Sequence, residues 1–232
     1  MKGALYYVGL RYFLGHLLTL PLLDLRATTQ IITQLLYLSP QRGLLYVTDT
    51  STSTYDYPGV PSHVFEHLSC FLPGLLALGA HTLPLDRLDS LGINLAHLGN
   101  ETLYGHAGKA YRRLSKYDLR ELHLWAAEGL AQTCYLTYAD SATGLGPDEI
   151  MMNAGYYSGP QDMKKRPGKA TRDPELWIDA LDSWSRSSRK GLVPGLESKK
   201  PIVYTEKQRL RGSGRGRDYV MRKTEYLLRP EV

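Results

Sequence analysis

The chain has 232 residues, of which 43% are apolar and 22% are charged, as is ordinary for a globular protein with one sizeable domain or two small ones. Its net charge of +5 is concentrated at one end, with −3 over residues 1–160 and +8 over residues 161–232, so the overall basic balance does not describe the whole protein. The apolar stretch 4–23 carries Arg11 and His16 and lacks a small-residue cleavage site, which argues against a membrane-spanning helix or a signal peptide there.

The first predicted helix begins at Asp24, a suitable N-cap residue, and runs to about Leu38. The pair Ser39-Pro40 ends it. A short apolar run at 43–47 is compatible with a strand, and the segment 49–62, rich in Ser, Thr, Tyr, Pro and Gly, is typical of a loop.

Three further helices are predicted along the chain. Residues 64–79 are too densely apolar for a surface helix, so we expect a buried helix with a kink at Pro73. Residues 115–138 follow a capping-box-like start at Ser115 and Asp118. A last helix is predicted from Asp173 through Trp184. The pattern favours an all-α array whose long loops carry the chemistry.

The two cysteines, Cys70 and Cys134, fall in two different predicted helices. Free buried thiols and an inter-helix disulfide are both compatible with this placement, and the disulfide would require an oxidising compartment. The spacing of cysteines and histidines fits no standard zinc site.

Three segments place ionisable residues beside apolar runs: EHLSCFLPGLLALGA (66–80), CYLTYADSATGLGPDEI (134–150) and YLLRPE (226–231). Any one of them alone would be explained by structure, since a Glu beside a Pro commonly starts a helix. In this order they resemble the class I α-1,2-mannosidases, glycoside hydrolase family 47. The resemblance runs from about Leu35 to the last residue, is strongest over 35–160 and 224–232, and is weakest in the basic loops 161–222. It implies that residues 1–232 are an incomplete catalytic domain.

The resemblance implies a partial (α/α) barrel of helix pairs with long loops and a sugar site in its mouth. It implies a Cys70–Cys134 disulfide, substrate contacts from Arg229 and His67 with the adjacent Glu66, and a catalytic carboxylate at Glu231. A second active-site carboxylate is Glu149, or Asp148 in an alternative register. The implied reaction is hydrolysis with inversion, in which one carboxyl protonates the leaving oxygen and another activates water.

The resemblance further implies high-mannose N-glycans as substrates, a bound calcium ion, and a secretory-pathway location in the endoplasmic reticulum or Golgi, with a membrane-anchored parent protein. The family's Gly-x-Asp-Ser-Tyr-Tyr-Glu-Tyr-like segment and its C-terminal calcium-ligating Thr are not in these 232 residues. We therefore expect no metal ligand on this chain and impaired turnover by the chain alone.

Two other functions are compatible with parts of the sequence. The Arg-Gly segment 209–217 and the run Lys164-Lys165-Arg166 are typical of RNA-binding segments, although a solvated loop is the simpler interpretation and nucleic-acid binding is not favoured. A non-catalytic, mannosidase-like glycan-binding factor for glycoprotein quality control would share the same motifs.

Overall fold

The computed structural model of the chain describes residues 19–51, 59–141, 143–152, 173–203 and 218–224. Within these ranges the α-helices are α1 (Thr19–Gln30), α2 (Phe71–Thr82), α3 (Leu95–Leu98), α4 (Glu101–Leu114), α5 (Leu119–Ala139) and α6 (Trp177–Arg186). The strands are β1 (Leu36–Leu38), β2 (Leu45–Val47), β3 (Thr50–Ser51), β4 (Val60–Pro61), β5 (Val64–Glu66), β6 (Glu149–Met151), β7 (Glu175–Leu176) and β8 (Val220–Lys223). The fold is mostly helical, as predicted, with short strands at the helix ends.

Helix α5 is the longest described helix and packs along α2. Asp118 caps its N-terminus, because the Asp118 side chain accepts a hydrogen bond from the backbone N–H of Glu121. The predicted start at Ser115 was wrong: Ser115 is the C-cap of α4, and its hydroxyl donates to the carbonyl of Arg112. A serine can serve either end of a helix, so the sequence pattern alone did not separate the two helices.

Pro73 lies at the start of helix α2 and not in its middle, where a kink was predicted. The chain enters it through strand β5 and a 3-10 turn, His67–Cys70, so Pro73 lies in its first turn. The N–H groups of a first helical turn have no intrahelical partner, so proline costs nothing there. Residues 64–66 therefore form a strand instead of the first turn of a long helix.

The beginning of the described chain also differs from the prediction. Asp24 lies inside α1, with its Oδ2 atom 3.8 Å from Nε2 of the buried His123, and does not cap the helix. A π-helical turn, Ile31–Leu35, follows α1, and residues 36–38 then form β1 instead of continuing the helix. Strand β1 pairs with β2, which confirms a strand within 43–47, and with β7 on its other side.

Helix α6 begins at Trp177 and not at the predicted start, Asp173, because residues 175–176 form strand β7. The Trp177 ring is fully buried, and its Nε1 donates to the carbonyl of Pro194 over 2.8 Å. Arg113 of α4 binds Asp182 of α6 over 2.8 Å. No helix among the described residues has the length and apolar character that would span a bilayer.

A second small sheet, which we call the site sheet, joins three distant parts of the chain in the order β5-β6-β8. Phe65 faces Ile150 across the first pair of strands, and both side chains are buried in the core. Their neighbours Glu66 and Glu149 also face each other, on the opposite side of the sheet because side chains alternate along a strand.

Candidate active site

A disulfide between Cys70 and Cys134 ties the 3-10 turn before α2 to helix α5. The sulfur atoms are 2.12 Å apart and the Cα atoms 5.9 Å apart. The implied bond is thereby confirmed, and of the two alternatives left open by the sequence the free thiols are excluded. The bond lies in a core cluster with Phe65, Leu136 and Ile150, so it fixes α5 directly beneath the site sheet.

His67, the first residue of the 3-10 turn, is 7% exposed. Its Nε2 atom shares a hydrogen bond with the hydroxyl of Tyr138 from the last turn of α5. The two rings lie 5.4 Å apart, centroid to centroid, at 62°. The backbone N–H of His67 donates to the carbonyl of Asp148 over 2.8 Å. Both the side chain and the backbone of His67 are therefore held in place.

Three carboxylic residues lie around His67. Glu66 precedes it on β5, Glu149 faces Glu66 on β6, and Asp148 immediately precedes β6. All three side chains are partly buried. The structure thus brings together four predicted residues at one end of the site sheet: Glu66, His67, Asp148 and Glu149. The order of the motifs in the sequence does not by itself predict this proximity.

Strand β8 supplies basic groups to this end of the sheet. Lys223 Nζ lies 2.8 Å from a carboxylate oxygen of Glu149, and an Arg222 guanidinium nitrogen lies 3.9 Å from the other oxygen. The hydrogen bond with Glu149 raises the pKa of the exposed Lys223 ammonium. Sequence analysis missed Lys223, because its role depends on a strand pairing across more than 70 residues.

The segment between α5 and β6 packs against Tyr138. A Cβ atom added to Gly146 would lie 2.8 Å and 2.9 Å from two atoms of the Tyr138 ring. That separation is well inside carbon–carbon contact distance, so a side chain at this position would require the Tyr138 ring or the segment to shift. Sequence analysis missed Tyr138 as well, although its position four residues after Cys134 puts both side chains on one face of the helix.

A buried ion cluster lies just beyond Tyr138. Arg42 contacts Asp140 over 2.6 Å and Asp218 over 2.5 Å, and both carboxylate side chains are fully buried. Ser39 and Tyr219 donate further hydrogen bonds to these carboxylates. Burial lowers the pKa of the Arg42 guanidinium, but the two carboxylates outweigh it and raise the pKa overall. The cluster joins the C-terminus of α5 to the loop after β1 and to the start of β8.

Several predicted residues lie outside the described part of the chain. These are the site residues Arg229 and Glu231 and the basic segments Lys164-Lys165-Arg166 and 209–217. Among the described residues, no group of three or more His, Cys, Asp or Glu side chains could hold a metal ion.

A cavity of about 830 Å³ lies apart from His67 and the carboxylates of the site sheet. Its walls come from the loop after β1, the residues around β7, and the segment 197–200, and they include Arg42, Glu175 and Lys199. None of the predicted site residues that the structure describes contributes to the walls. Size alone does not make it the substrate site, because it contains neither His67 nor the carboxylates of the site sheet.

Comparison with known proteins places these features in a family. Glycosyl hydrolase family 47 matches residues 25–232. A mannosyl-oligosaccharide 1,2-alpha-mannosidase, MNS3, of Arabidopsis thaliana is 38% identical over 107 residues, which are 46% of this chain and 13% of that relative. The chain thus aligns with well under two thirds of that relative's length. Since the family match extends over most of the sequence, the chain belongs to glycosyl hydrolase family 47.

Proposed function

We propose that the protein hydrolyses terminal α-1,2-linked mannose from high-mannose N-glycans. The observation that carries the proposal is the gathering of His67, Glu66, Asp148 and Glu149 at one end of the site sheet, in a chain of this family. The similarity to the Arabidopsis mannosyl-oligosaccharide 1,2-alpha-mannosidase supports the substrate class. We regard residues 1–232 as part of one catalytic domain.

Glycoside hydrolysis with inversion needs two carboxyl groups with different tasks. One protonates the leaving oxygen, while the other, roughly 6.5–9.5 Å away, removes a proton from the attacking water. We propose Glu231 and Glu149 for these tasks, with Asp148 as the alternative to Glu149. His67, with Arg229 and Glu66, would hold the hydroxyl groups of the terminal mannose.

Calcium dependence is part of the proposal through the family alone. When bound, the ion would hold mannose hydroxyls through its oxygen-rich coordination shell. The described residues do not form its site, so we route no step of the reaction through the ion. Removing calcium with EDTA and adding it back during the assay tests the dependence.

The secretory pathway is the proposed location. The Cys70–Cys134 disulfide supports it, because such bonds form and persist in oxidising compartments such as the endoplasmic reticulum. Localisation of a tagged parent protein by microscopy, with the reduced fraction of these two cysteines measured by thiol labelling, tests this part of the proposal.

The activity is tested by incubating the purified chain with a high-mannose N-glycan and quantifying released mannose. Proton NMR of fresh product identifies the anomer, and an inverting enzyme acting on an α-linkage releases β-mannose first. We expect low turnover by the 232-residue chain, for the sequence reasons given above, so binding of α-1,2-mannobiose is measured in parallel. Binding without hydrolysis would favour the glycan-binding function instead, and absence of both would contradict the proposal.

The choice between Asp148 and Glu149 is tested with a matched set of variants. Glu149→Gln is expected to lower the rate by roughly 10²–10⁴-fold, the typical cost of losing a catalytic acid or base. Asp148→Asn is expected to lower it much less, and Glu128→Gln, on an exposed position of α5, is the control. A larger loss of rate in Asp148→Asn than in Glu149→Gln would assign the role to Asp148.

A further inference from the structure

We propose that Tyr138 is a positioning residue of the site: its hydroxyl sets the rotation of the His67 ring, and its own ring seats the segment that carries Asp148 and Glu149. What the site binds rests on the proposed function, whereas the positioning role concerns contacts within the chain. Tyr138 belongs to neither the carboxylates nor the disulfide, and the reaction itself assigns it no task.

The first observation is the contact between the two side chains. The torsion that rotates a histidine ring about its Cβ–Cγ bond has a broad minimum, so the ring orientation is set by its partners. The Tyr138 hydroxyl binds Nε2 of the His67 ring, and the rings meet edge to face at 5.4 Å. Both residues lie at the edge of the core, where His67 is 7% exposed.

The second observation is that this contact joins the same two elements as the disulfide, the 3-10 turn and α5. His67 and Cys70 are three residues apart in a 3-10 turn, and residues at this spacing lie on one side of such a turn. Cys134 and Tyr138 are four residues apart in α5, again on one face. The disulfide fixes the backbone of the turn against α5, and Tyr138 then fixes the ring, which the disulfide does not contact.

The third observation concerns the segment between α5 and β6. The backbone of Gly146 lies so close to the Tyr138 ring that an added Cβ would be 2.8 Å, 2.9 Å and 3.1 Å from three ring atoms. Two residues later, the carbonyl of Asp148 accepts the N–H of His67 over 2.8 Å. The hydroxyl of Tyr138 therefore contacts His67 while its ring contacts Gly146, so Tyr138 links His67 to the segment that carries the carboxylates.

The hydroxyl is tested with Tyr138→Phe, which keeps the ring against Gly146 and removes the hydroxyl that binds His67. With ¹⁵N-labelled histidine, we expect the His67 ring-nitrogen signals to shift relative to the unaltered chain. We expect α-1,2-mannobiose affinity or kcat/KM to fall by up to about 100-fold, the scale of a small misplacement of a reacting group. Tyr135→Phe, at a 56% exposed tyrosine of the same helix, is expected to change neither.

The seating of the segment is tested separately with Gly146→Ala. We expect the backbone amide signals of Asp148 and Glu149 and the ring signals of His67 to shift together, because the added methyl displaces the Tyr138 ring or the segment. The control is Gly74→Ala, since a Cβ at Gly74 has no atom within 4 Å. Unchanged Asp148 and Glu149 signals in Gly146→Ala would overturn the seating role.

Unchanged His67 ring signals in Tyr138→Phe, in a protein that unfolds at the same temperature as the unaltered chain, would overturn the orienting role. So would full mannobiose affinity in that variant where the unaltered chain binds. If the unaltered chain neither binds nor cleaves mannosides, the proposed function fails, while the NMR comparison still decides whether Tyr138 orients His67. The two proposals thus fail by different measurements.

Discussion

At the scale of single residues, Arg42 is notable because one guanidinium group pairs with two buried carboxylates. It is paired with Asp140 and Asp218, whose side chains are fully buried, and its own side chain is 17% exposed. Two buried carboxylates are tolerated only because the guanidinium and the neighbouring hydrogen-bond donors satisfy them. Such a cluster contributes a defined geometry to the end of α5 more surely than it contributes net stability.

Replacing Arg42 by Met removes the only cation among the described residues that an ion pair joins to these two aspartates. We expect the free energy of unfolding to fall by about 3–5 kcal/mol, because two buried carboxylates each lose an ion pair. Denaturant unfolding followed by circular dichroism measures the change. The control is Arg112→Met: Arg112 pairs with Glu101 at the surface with 62% of its side chain exposed, so a loss below about 1 kcal/mol is expected. Equal losses in the two variants would contradict the argument.

Asp182 gives a prediction for the dependence of stability on pH. Burial raises the pKa of this carboxyl, but hydrogen bonds from Tyr117 and Arg113 outweigh burial and lower the pKa overall. A lowered pKa in the folded state means that Asp182 stabilises the fold at pH values above its ordinary pKa of about 3.9, and that this contribution is lost as the pH falls through the lowered value.

We therefore expect Asp182→Asn to be less stable than the unaltered chain at pH 7 and the two to converge as the pH drops below about 4. Thermal unfolding at a series of pH values measures the difference. Tyr117→Phe, which removes one of the hydrogen bonds, should show a smaller effect of the same sign. A difference that stays constant from pH 7 to pH 3 would contradict this assignment.

At the scale of elements, the disulfide closes a loop between residues 64 positions apart. In the chain-entropy description, a crosslink over such a loop stabilises the folded state by about 4 kcal/mol, and measured values are commonly 2–4 kcal/mol. We expect Cys70→Ala/Cys134→Ala to lose about this much, measured by denaturant unfolding. A reducing agent should destabilise the unaltered chain similarly and leave the double variant unaffected. Destabilisation of the double variant by the reductant would show that the agent acts elsewhere.

Helix α5 and strand β2 could be predicted from the sequence because their signals are local. A cap at Asp118 and apolar periodicity describe α5, and a short apolar run describes β2. Strand β5 could not, because three residues next to a longer apolar run are too few to show a period of their own. Its identity as a strand comes from pairing with β6, more than 80 residues further along.

The site divides in the same way. His67, Glu66, Asp148 and Glu149 could be named from motifs, because their residue types and order are written in the sequence. Tyr138, Lys223 and Arg42 could not, since each matters only through a partner brought close by folding: His67, Glu149, and the two buried aspartates. Sequence motifs therefore identify the residues of a site more readily than the residues that hold those side chains in position.

At the scale of the whole molecule, large apolar side chains remain exposed beside the disulfide. Leu68, Phe71 and Leu78 recur at helix-like spacing with exposed fractions of 37%, 44% and 48%, and Tyr135 of α5 is also exposed. The exposure differs from the buried helix that was predicted over residues 64–79, because only one face of α2, with Leu72 and Leu76, is buried in the core. Contiguous exposed apolar surface favours association with other proteins or with a second copy.

We expect the purified chain to self-associate as its concentration rises, and Phe71→Ser/Leu78→Ser to reduce that association. Sedimentation velocity over a hundred-fold concentration range measures it. Leu103→Ser, at a leucine of α4 with 61% exposure, is the matched control. Association of the double variant equal to that of the unaltered chain would place the contact elsewhere.

The site sheet has a consequence for the order in which the nascent protein can mature. Its strands lie at residues 64–66, 149–151 and 220–223, so the ribosome delivers Cys70 and Cys134 well before β8. In an oxidising lumen the crosslink can therefore close while β6 still presents an unpaired edge. Open strand edges recruit other strands. The interval between oxidation and the arrival of β8 is thus when a newly made molecule is most exposed to mispairing.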